Sequence, residues 1–269
     1  MLDILYLALS IDKEILDTHF AGTFDLINKS SSSQLYSYRA VVYTQGFTYD
    51  KEVDNVEFIR DDTMYRKGYS ISEIRDYFTS KALANYNPEF VMHCDDDFKF
   101  QSESSRSVYQ DMIYMKSHPE VGLTCMHYHK NGPPVDSEYY YDFNPSRVAT
   151  RSGILFRSEA FSTWGGDSKV RYFEEAVLST YIYRDGYDIK HSISNTIHKT
   201  KPTGLGLSLE RKYGKSNIPQ SGRRILHEQG YLIPSLDKEG KPRYDTPLKV
   251  SEDLQKLHEI NLKYRLSQD

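Results

Sequence analysis

The sequence predicts an α/β fold in which a mainly parallel sheet is flanked by helices, and three observations predict it. Apolar runs of strand length alternate with longer segments whose apolar residues recur at helical spacing. The segments between successive runs are long enough to hold a crossover helix. Asp95, Asp96 and Asp97 directly follow one apolar run, which is the end of a strand where such sheets bind ligands. A chain of 269 residues is also long enough to bury the core that this fold needs.

The first half of the chain carries the clearest alternation. Residues 2–9 form an apolar run that predicts the first strand, and residues 11–27 follow with the spacing of a helix. The serine-rich segment 28–34 predicts a loop. Further strands are predicted at 40–43, 56–59, 90–94 and 121–127, and further helices at 72–84 and 104–117.

The second half is less regular. A strand is predicted at 149–157, a turn at Gly165-Gly166, a helix at 173–184, a strand at 188–198, loops over 199–247 and a closing helix at 250–266. The sequence contains no internal repeat. We therefore predict one domain over residues 1–200, with halves of about 1–100 and 101–200. An irregular extension over 201–269 is predicted to pack on it.

Composition excludes several classes of protein. The formal charge of −4 gives no general attraction to nucleic acid or to an anionic membrane. No apolar run approaches the roughly 20 residues that a bilayer crossing needs. Asp3 stands where a signal peptide would carry basic residues, so a first strand explains the apolar N-terminus better. The two cysteines, Cys94 and Cys125, suit a reducing compartment, and a cytoplasmic protein without membrane contact is expected.

Three adjacent carboxylates at the end of a strand repel one another, and a cation relieves that repulsion. Oxygen ligands of this kind suit Mn²⁺ or Mg²⁺, which also bind phosphates. Because side chains alternate along a strand, Asp95 and Asp97 are expected to share a face while Asp96 points away. The same residues would also suit a solvated acidic turn or a helix N-cap, so the metal site is a prediction to be tested.

Two stretches of the chain resemble the GT-A fold glycosyltransferases, especially family-2-like enzymes that use a D-x-D metal motif. The first contains Arg75 and runs through the apolar strand into Asp95-Asp96-Asp97, and it resembles their donor half. The second is Trp164-Gly165-Gly166, followed by Glu174-Glu175 at the start of a helix and by Gly186-Tyr187 after it. This second stretch looks like their acceptor half. The matched stretches lie within residues 2 to 200, about three quarters of the chain.

The resemblance implies a role for each of these residues. Asp97 would bind the metal directly, while Asp95 would contact the donor ribose or the metal through water. Asp96 and Arg75 would lie on the donor side, and Trp164, Gly165 and Gly166 on the acceptor side. Glu175 or Glu174 would be the catalytic base, and the matching position favours Glu175, where the family usually has Asp. Adjacent helical residues point about 100° apart, so one of the pair can face the reaction centre.

A histidine and a basic segment extend this expected site. His198, at the end of a predicted strand, matches the place where many GT-A enzymes have a third metal ligand. Residues 199–224 then carry seven basic residues against Glu210 alone, a net charge of +6. In position this segment resembles the loop that closes over the donor pyrophosphate, with Lys201, Arg211 and Lys212 as its cationic partners.

Together these features imply a metal-dependent, inverting glycosyltransferase with a nucleotide-sugar donor, UDP-linked by family analogy. The acceptor would be a hydroxyl, either of a hydroxymethylated base in phage-type DNA or of a saccharide or protein. A metal-dependent nucleotidyltransferase is the alternative enzyme class, since it also places carboxylates at a strand end. A sugar- or nucleotide-binding module that lacks the chemistry is the alternative outside enzymes.

Overall fold

The computed structural model describes residues 2–29, 34–96, 98–100, 104–128, 140–141, 153–161, 174–199, 221–244 and 248–268. Its centre is a sheet with strand order β3-β2-β1-β4-β8-β6-β9-β5, and β7 pairs with β9. The strands are β1 (Leu2–Ser10), β2 (Tyr38–Thr44), β3 (Val56–Arg60), β4 (Pro88–Asp95), β5 (Phe98–Phe100), β6 (Val121–Tyr128), β7 (Tyr140–Tyr141), β8 (Ile154–Arg157) and β9 (Asp188–Lys199).

The predicted mainly parallel sheet is confirmed. Neighbours among β3, β2, β1 and β4 pair in parallel, and so do β6 and β9. β8 lies between β4 and β6 and is antiparallel to both, so β4 and β6 point the same way. The carboxyl ends of β1, β2, β3, β4, β6 and β9 therefore lie along one edge, where ligands bind in sheets of this kind.

Helices cover both faces of the sheet, as predicted. They are α1 (Lys13–Ile15), α2 (Ala21–Lys29), α3 (Ile71–Tyr86), α4 (Ser104–Ser117), α5 (Glu174–Arg184), α6 (Ser221–Glu228) and α7 (Glu252–Leu266). One core cluster contains Phe78 of α3 and Ile182 of α5. The other contains Phe24 of α2 and Met112 of α4. The two clusters lie on opposite faces, because alternate residues of β1 belong to one or the other.

The described residues differ from the predicted elements in several places, and β5 and β7 are strands that the sequence did not predict. The predicted helix 11–27 is interrupted by a π-helical turn over Leu16–Phe20, between α1 and α2. The segment 199–247, predicted to be loops, contains α6, whose buried residues include Ile225 and Leu226. Four short strands follow in two antiparallel pairs, β10 (Leu232–Ile233) with β13 (Lys249–Val250) and β11 (Ser235–Leu236) with β12 (Pro242–Arg243). α6 is short, so its pattern was too brief to stand out among scattered Gly and Pro.

The helix that positions the candidate site, α3, has well-defined ends. Ser70 and Glu73 form a reciprocal capping box, in which the Ser70 side chain accepts from the Glu73 N–H and the Glu73 side chain accepts from the Ser70 N–H. At the other end, Asn87 adopts the left-handed conformation with φ of 43°, directly before Pro88 opens β4. The helix thus starts and stops at fixed residues, and its register against β4 is set.

The last helix, α7, packs against the turn between α5 and β9. A Cβ at Gly186, where φ is +86°, would lie 2.4 Å from the backbone carbonyl carbon of Asn261. Asn261 donates to the Arg184 carbonyl oxygen at 2.7 Å, and His258 lies 3.1 Å from the Asp188 carboxylate. Burial opposes the effect of His258, yet this partner holds the pKa of Asp188 below its usual value. The division at residue 200 stays a prediction.

Candidate active site at the carboxyl edge of the sheet

The first component of the site is the edge formed by β1 and β4, which are neighbours in the sheet. Leu9 pairs with Asp95, so the ends of the two strands lie side by side. The Ser10 hydroxyl, 2% exposed as a residue, donates to Asp96 Oδ2 at 2.7 Å. β4 ends at Asp95, and Asp96 is directed onto the end of β1. Two of the three predicted aspartates are thus located where the sequence predicted them.

The second component is an arginine that lies between two carboxylates from different parts of the chain. Arg75 Nη2 lies 2.6 Å from Asp95 Oδ1 and 4.0 Å from Glu175 Oε1. The side chains of Arg75 and Glu175 are each 13% exposed and that of Asp95 is 20% exposed, so the group is screened from bulk water. Charges in such a place interact more strongly than surface ion pairs.

The third component is a buried hydrogen bond between α3 and β4. Thr79 Oγ1 and His93 Nε2 are 2.9 Å apart, and both residues are buried. Burial, reinforced by the positive charge of Arg75, lowers the pKa of His93 to about 3. The imidazole is therefore neutral at physiological pH and adds no charge beside Arg75.

Nearby buried groups have the pKa shifts that a low-dielectric environment produces. Burial raises the pKa of the Cys94 thiol, with a further contribution from Asp95, so Cys94 stays protonated. Burial also raises the pKa of Asp76 on α3. In both groups burial is the largest cause of the shift, because it disfavours the charged form.

Glu175 is positioned by the N-terminal turn of α5. The residues that follow it, Ala176, Val177 and Leu178, are buried in the core, so the start of the helix is firmly held. A carboxylate in the first turn also interacts favourably with the helix dipole. Glu174 begins the same helix, and its side chain lies outside the described residues.

Several predicted site residues lie outside the described part of the chain. They are Asp97, Trp164, Gly165, Gly166, Lys201, Arg211 and Lys212. The backbone of His198 is described: it belongs to β9 and pairs with Lys99 of β5, two residues beyond Asp97 in the chain. This pairing agrees with the expected neighbourhood of His198, whose metal-ligand role stays a prediction.

Sequence reasoning missed three residues that support the site. Ser10, Thr79 and His93 are small or neutral polar residues within apolar or helical patterns, where nothing distinguishes them from ordinary core positions. The available signal was spacing. Thr79 lies one helical turn after Arg75, and His93 lies two residues before Asp95 on the same face of β4.

The residues at this edge fit a divalent cation by their chemistry. Asp95 and Asp96 offer hard carboxylate oxygens of the kind that Mn²⁺ and Mg²⁺ prefer. The positive charge of Arg75 at 2.6 Å shows that Asp95 already has a cation beside it. Within the described ranges, no group of three histidine, cysteine or acidic side chains is arranged to hold a metal, and Asp97 lies outside those ranges.

No protein-family model matches the chain, and no curated protein matches it. Solved structures do match. TarS residues 1–349 of S. aureus in complex with UDP-GlcNAc aligns with a TM-score of 0.53 and 12% identity, over 77% of this chain and 61% of that one. GalNAc-T7 with UDP, GalNAc and Mn²⁺ aligns with a TM-score of 0.54 and 9% identity, over 86% of this chain and 49% of that one.

A third match is the mannosyltransferase PcManGT from Pyrobaculum calidifontis, in complex with GDP-Man and Mn²⁺. It has a TM-score of 0.51 and 13% identity, over 85% of this chain and 69% of that one. The present chain thus spans about 60% of the TarS fragment and about half of GalNAc-T7. Within the described residues, no helix combines the length and apolar character of a membrane span. The chain has the GT-A fold that the resemblance implied.

Proposed function

We propose that this protein is a divalent-metal-dependent glycosyltransferase that moves a sugar from a nucleotide-sugar donor to a hydroxyl group. The observation that supports the proposal is the cluster in which the Arg75 guanidinium lies 2.6 Å from Asp95 and 4.0 Å from Glu175, the residues that we assign to the donor side and to the base. The solved structures that share the fold contain UDP-GlcNAc, UDP with GalNAc, or GDP-Man in their complexes, and this supports a nucleotide-sugar donor.

In this proposal each residue has a role set by its position. Asp97, Asp95 and His198 would hold the metal, while Asp96 and Arg75 would line the donor side. A bound Mn²⁺ or Mg²⁺ would offset the negative charge that develops on the departing diphosphate. Glu175 accepts the proton of the acceptor hydroxyl as that oxygen attacks the anomeric carbon from the face opposite the leaving group. The sugar is thereby transferred with inversion, and the nucleoside diphosphate is released.

The basic segment 199–224 supports a finer proposal about donor and acceptor. Its charge of +6 in a chain of −4 suits contact with phosphate, through Lys201, Arg211 and Lys212 over a UDP-linked donor. The same charge would suit a DNA acceptor with a hydroxymethylated base, which must leave the base stack to react. A saccharide or protein hydroxyl is the alternative acceptor, contacted on the side of Trp164, Gly165 and Gly166.

The test is donor hydrolysis with a panel of UDP- and GDP-sugars, in the presence of Mn²⁺ and of EDTA. We expect release of nucleoside diphosphate with Mn²⁺, its loss with EDTA, and its loss in Asp97→Asn with the fold retained. In a parallel incubation with nucleoside triphosphates and a sugar phosphate, release of pyrophosphate would instead identify a nucleotidyltransferase. Binding of nucleotide sugar without turnover would indicate a binding module that lacks the chemistry. The anomeric configuration of the product, determined by NMR, tests inversion.

A further inference from the structure

The strand β4 and the helix α3 meet through two successive polar contacts. His93 and Asp95 are two residues apart on one face of β4, and Thr79 and Arg75 are one turn apart on α3. Because α3 connects β3 to β4, two strands of the same sheet that run in the same direction, it runs antiparallel to β4. Two strand residues span about 6.6 Å and four helical residues about 6 Å, so both contacts form in register.

The contact between Thr79 and His93, the more deeply buried of the two, determines where Arg75 lies. Thr79 and His93 are fully or almost fully buried, with exposures of 0% and 4%. A hydrogen bond between buried side chains is costly to leave unmade, which keeps α3 from sliding along β4. Arg75 is consequently placed beside Asp95, one step nearer the edge of the sheet.

From that position the guanidinium of Arg75 also reaches Glu175, at 4.0 Å. Asp95 belongs to β4, within the expected donor half, and Glu175 belongs to α5, within the expected acceptor half. A guanidinium carries several donors in a fixed plane and can face two carboxylates, which an ammonium group does less well. Arg75 thus joins two segments that are 80 residues apart in sequence.

We propose that Arg75 is a positioning residue that holds the Glu175 carboxylate in register with Asp95, in addition to its place on the donor side. This inference rests on the proposed function, because it assigns Glu175 the role of base. In the absence of metal, Arg75 also supplies the positive charge that Asp95 faces. Removing it therefore has two opposite consequences, one for cation binding and one for catalysis.

The first consequence concerns the metal. Arg75→Met makes the surroundings of Asp95 one unit more negative, so Mn²⁺ should bind about tenfold more tightly. Arg75→Lys keeps the charge and should leave Mn²⁺ affinity within about twofold of the wild type. Mn²⁺ affinity is measured from the electron paramagnetic resonance signal of the free ion, with and without UDP. This readout does not depend on turnover.

The second consequence concerns catalysis. In Arg75→Met, Glu175 loses the group that orients it, and kcat should fall by about 10² or more, as when a positioned base is lost. Arg75→Lys should recover little of this kcat, because one ammonium does not span both carboxylates. The Michaelis constant for the donor should change much less than kcat in both variants.

Lys81→Met provides the matched control. Lys81 lies on the same helix, and its ammonium is 2.5 Å from the Asp61 carboxylate, whose side chain is 8% exposed. Its loss also leaves a buried carboxylate without that cation, so the stability cost should be comparable. We expect Lys81→Met to lower the melting temperature without changing Mn²⁺ affinity or kcat.

The outcomes separate this inference from the function on which it rests. A wild type that binds no Mn²⁺ and turns over no donor would overturn both. An active wild type whose Arg75→Met variant keeps its kcat, or whose kcat is restored by Arg75→Lys, would overturn the positioning role alone. Equal changes in Arg75→Met and Lys81→Met would show that Arg75 contributes stability only.

Discussion

At the scale of single residues, the acidic pair at the start of α5 gives the most direct test of the proposed chemistry. We expect Glu175→Gln to lower kcat by about 10² to 10⁴, because an amide cannot accept the proton of the acceptor hydroxyl. Donor affinity should persist, since the phosphate and metal contacts are made by other residues. Steady-state kinetics together with calorimetric titration of UDP would separate the two quantities.

Glu174→Gln is the control for that measurement, because it removes the same charge from the same turn of the helix. It should remain active. An inactive Glu174→Gln beside an active Glu175→Gln would exchange the two roles, and two active variants would remove the base from the mechanism.

The sequence indicated the charged residues of the site better than the polar ones that support them. Asp95, Arg75 and Glu175 belong to a resemblance whose order along the chain can be recognised, and the structure brings them together. Ser10 and His93 could not be assigned, because their roles depend on which strands are neighbours. The pairing of β1 with β4 is a long-range contact that local periodicity does not contain.

At the scale of elements, the contact between α7 and the α5–β9 turn predicts an unequal effect of two glycine substitutions. Gly186 and Gly230 both have positive φ, of 86° and 77°, and alanine at either is strained by about 1 kcal/mol or more. At Gly186 the new Cβ would also meet the Asn261 backbone at 2.4 Å, whereas at Gly230 nothing lies within 4 Å. We therefore expect Gly186→Ala to cost about 2 kcal/mol more than Gly230→Ala, the typical cost of forcing an extra carbon into a packed site.

Urea unfolding of the two variants would measure this difference. Equal losses in the free energy of unfolding would show that α7 does not hold the Gly186 turn in solution. A separate loss of the α7 signal, before the rest of the chain unfolds, would show that the helix is held there but unfolds independently.

The predicted elements agreed best with the structure where a long apolar pattern was followed by a proline, which ends a helix. α3 ends just before Pro88, and α4 ends two residues before Pro119. The segment after residue 200 lacks such a pattern, and α6 was missed for that reason. The antiparallel direction of β8 could not be predicted from the sequence either, because side chains alternate in the same way whichever direction a strand runs.

At the scale of the whole molecule, positive charge is concentrated in the basic segment 199–224. This segment could contact either the donor or a nucleic-acid acceptor, and the two possibilities predict different results. If residues 199–224 only close over the donor, neutralising Arg211 and Lys212 should weaken nucleotide-sugar binding and spare acceptor binding. If they contact a nucleic-acid backbone, DNA affinity should fall steeply with salt, and each lost contact should reduce the slope of the log–log plot by about one unit.

Titration of the wild type and of the Arg211/Lys212 double variant with hydroxymethylated DNA, at two salt concentrations, distinguishes these uses. The net charge of −4 opposes strong non-specific binding, so we expect the donor role to account for most of the effect. Absence of salt-sensitive binding in both proteins would exclude the DNA acceptor and favour a saccharide or protein hydroxyl.

The place of β8 in the sheet has a consequence for the order in which the chain folds during synthesis. β1 to β4 form a contiguous series of parallel strands, and they can assemble as soon as residue 95 is available. The free edge of β4 stays unpaired until β8, which begins about 60 residues later, has been synthesised. β8 must pair with β4 before β6 can be added to the sheet. Until then residues 90–93 present an apolar, unpaired edge, the kind of surface on which nascent chains associate. The β4 edge therefore lacks its partner for the whole interval of synthesis between residue 95 and the end of β8 at residue 157.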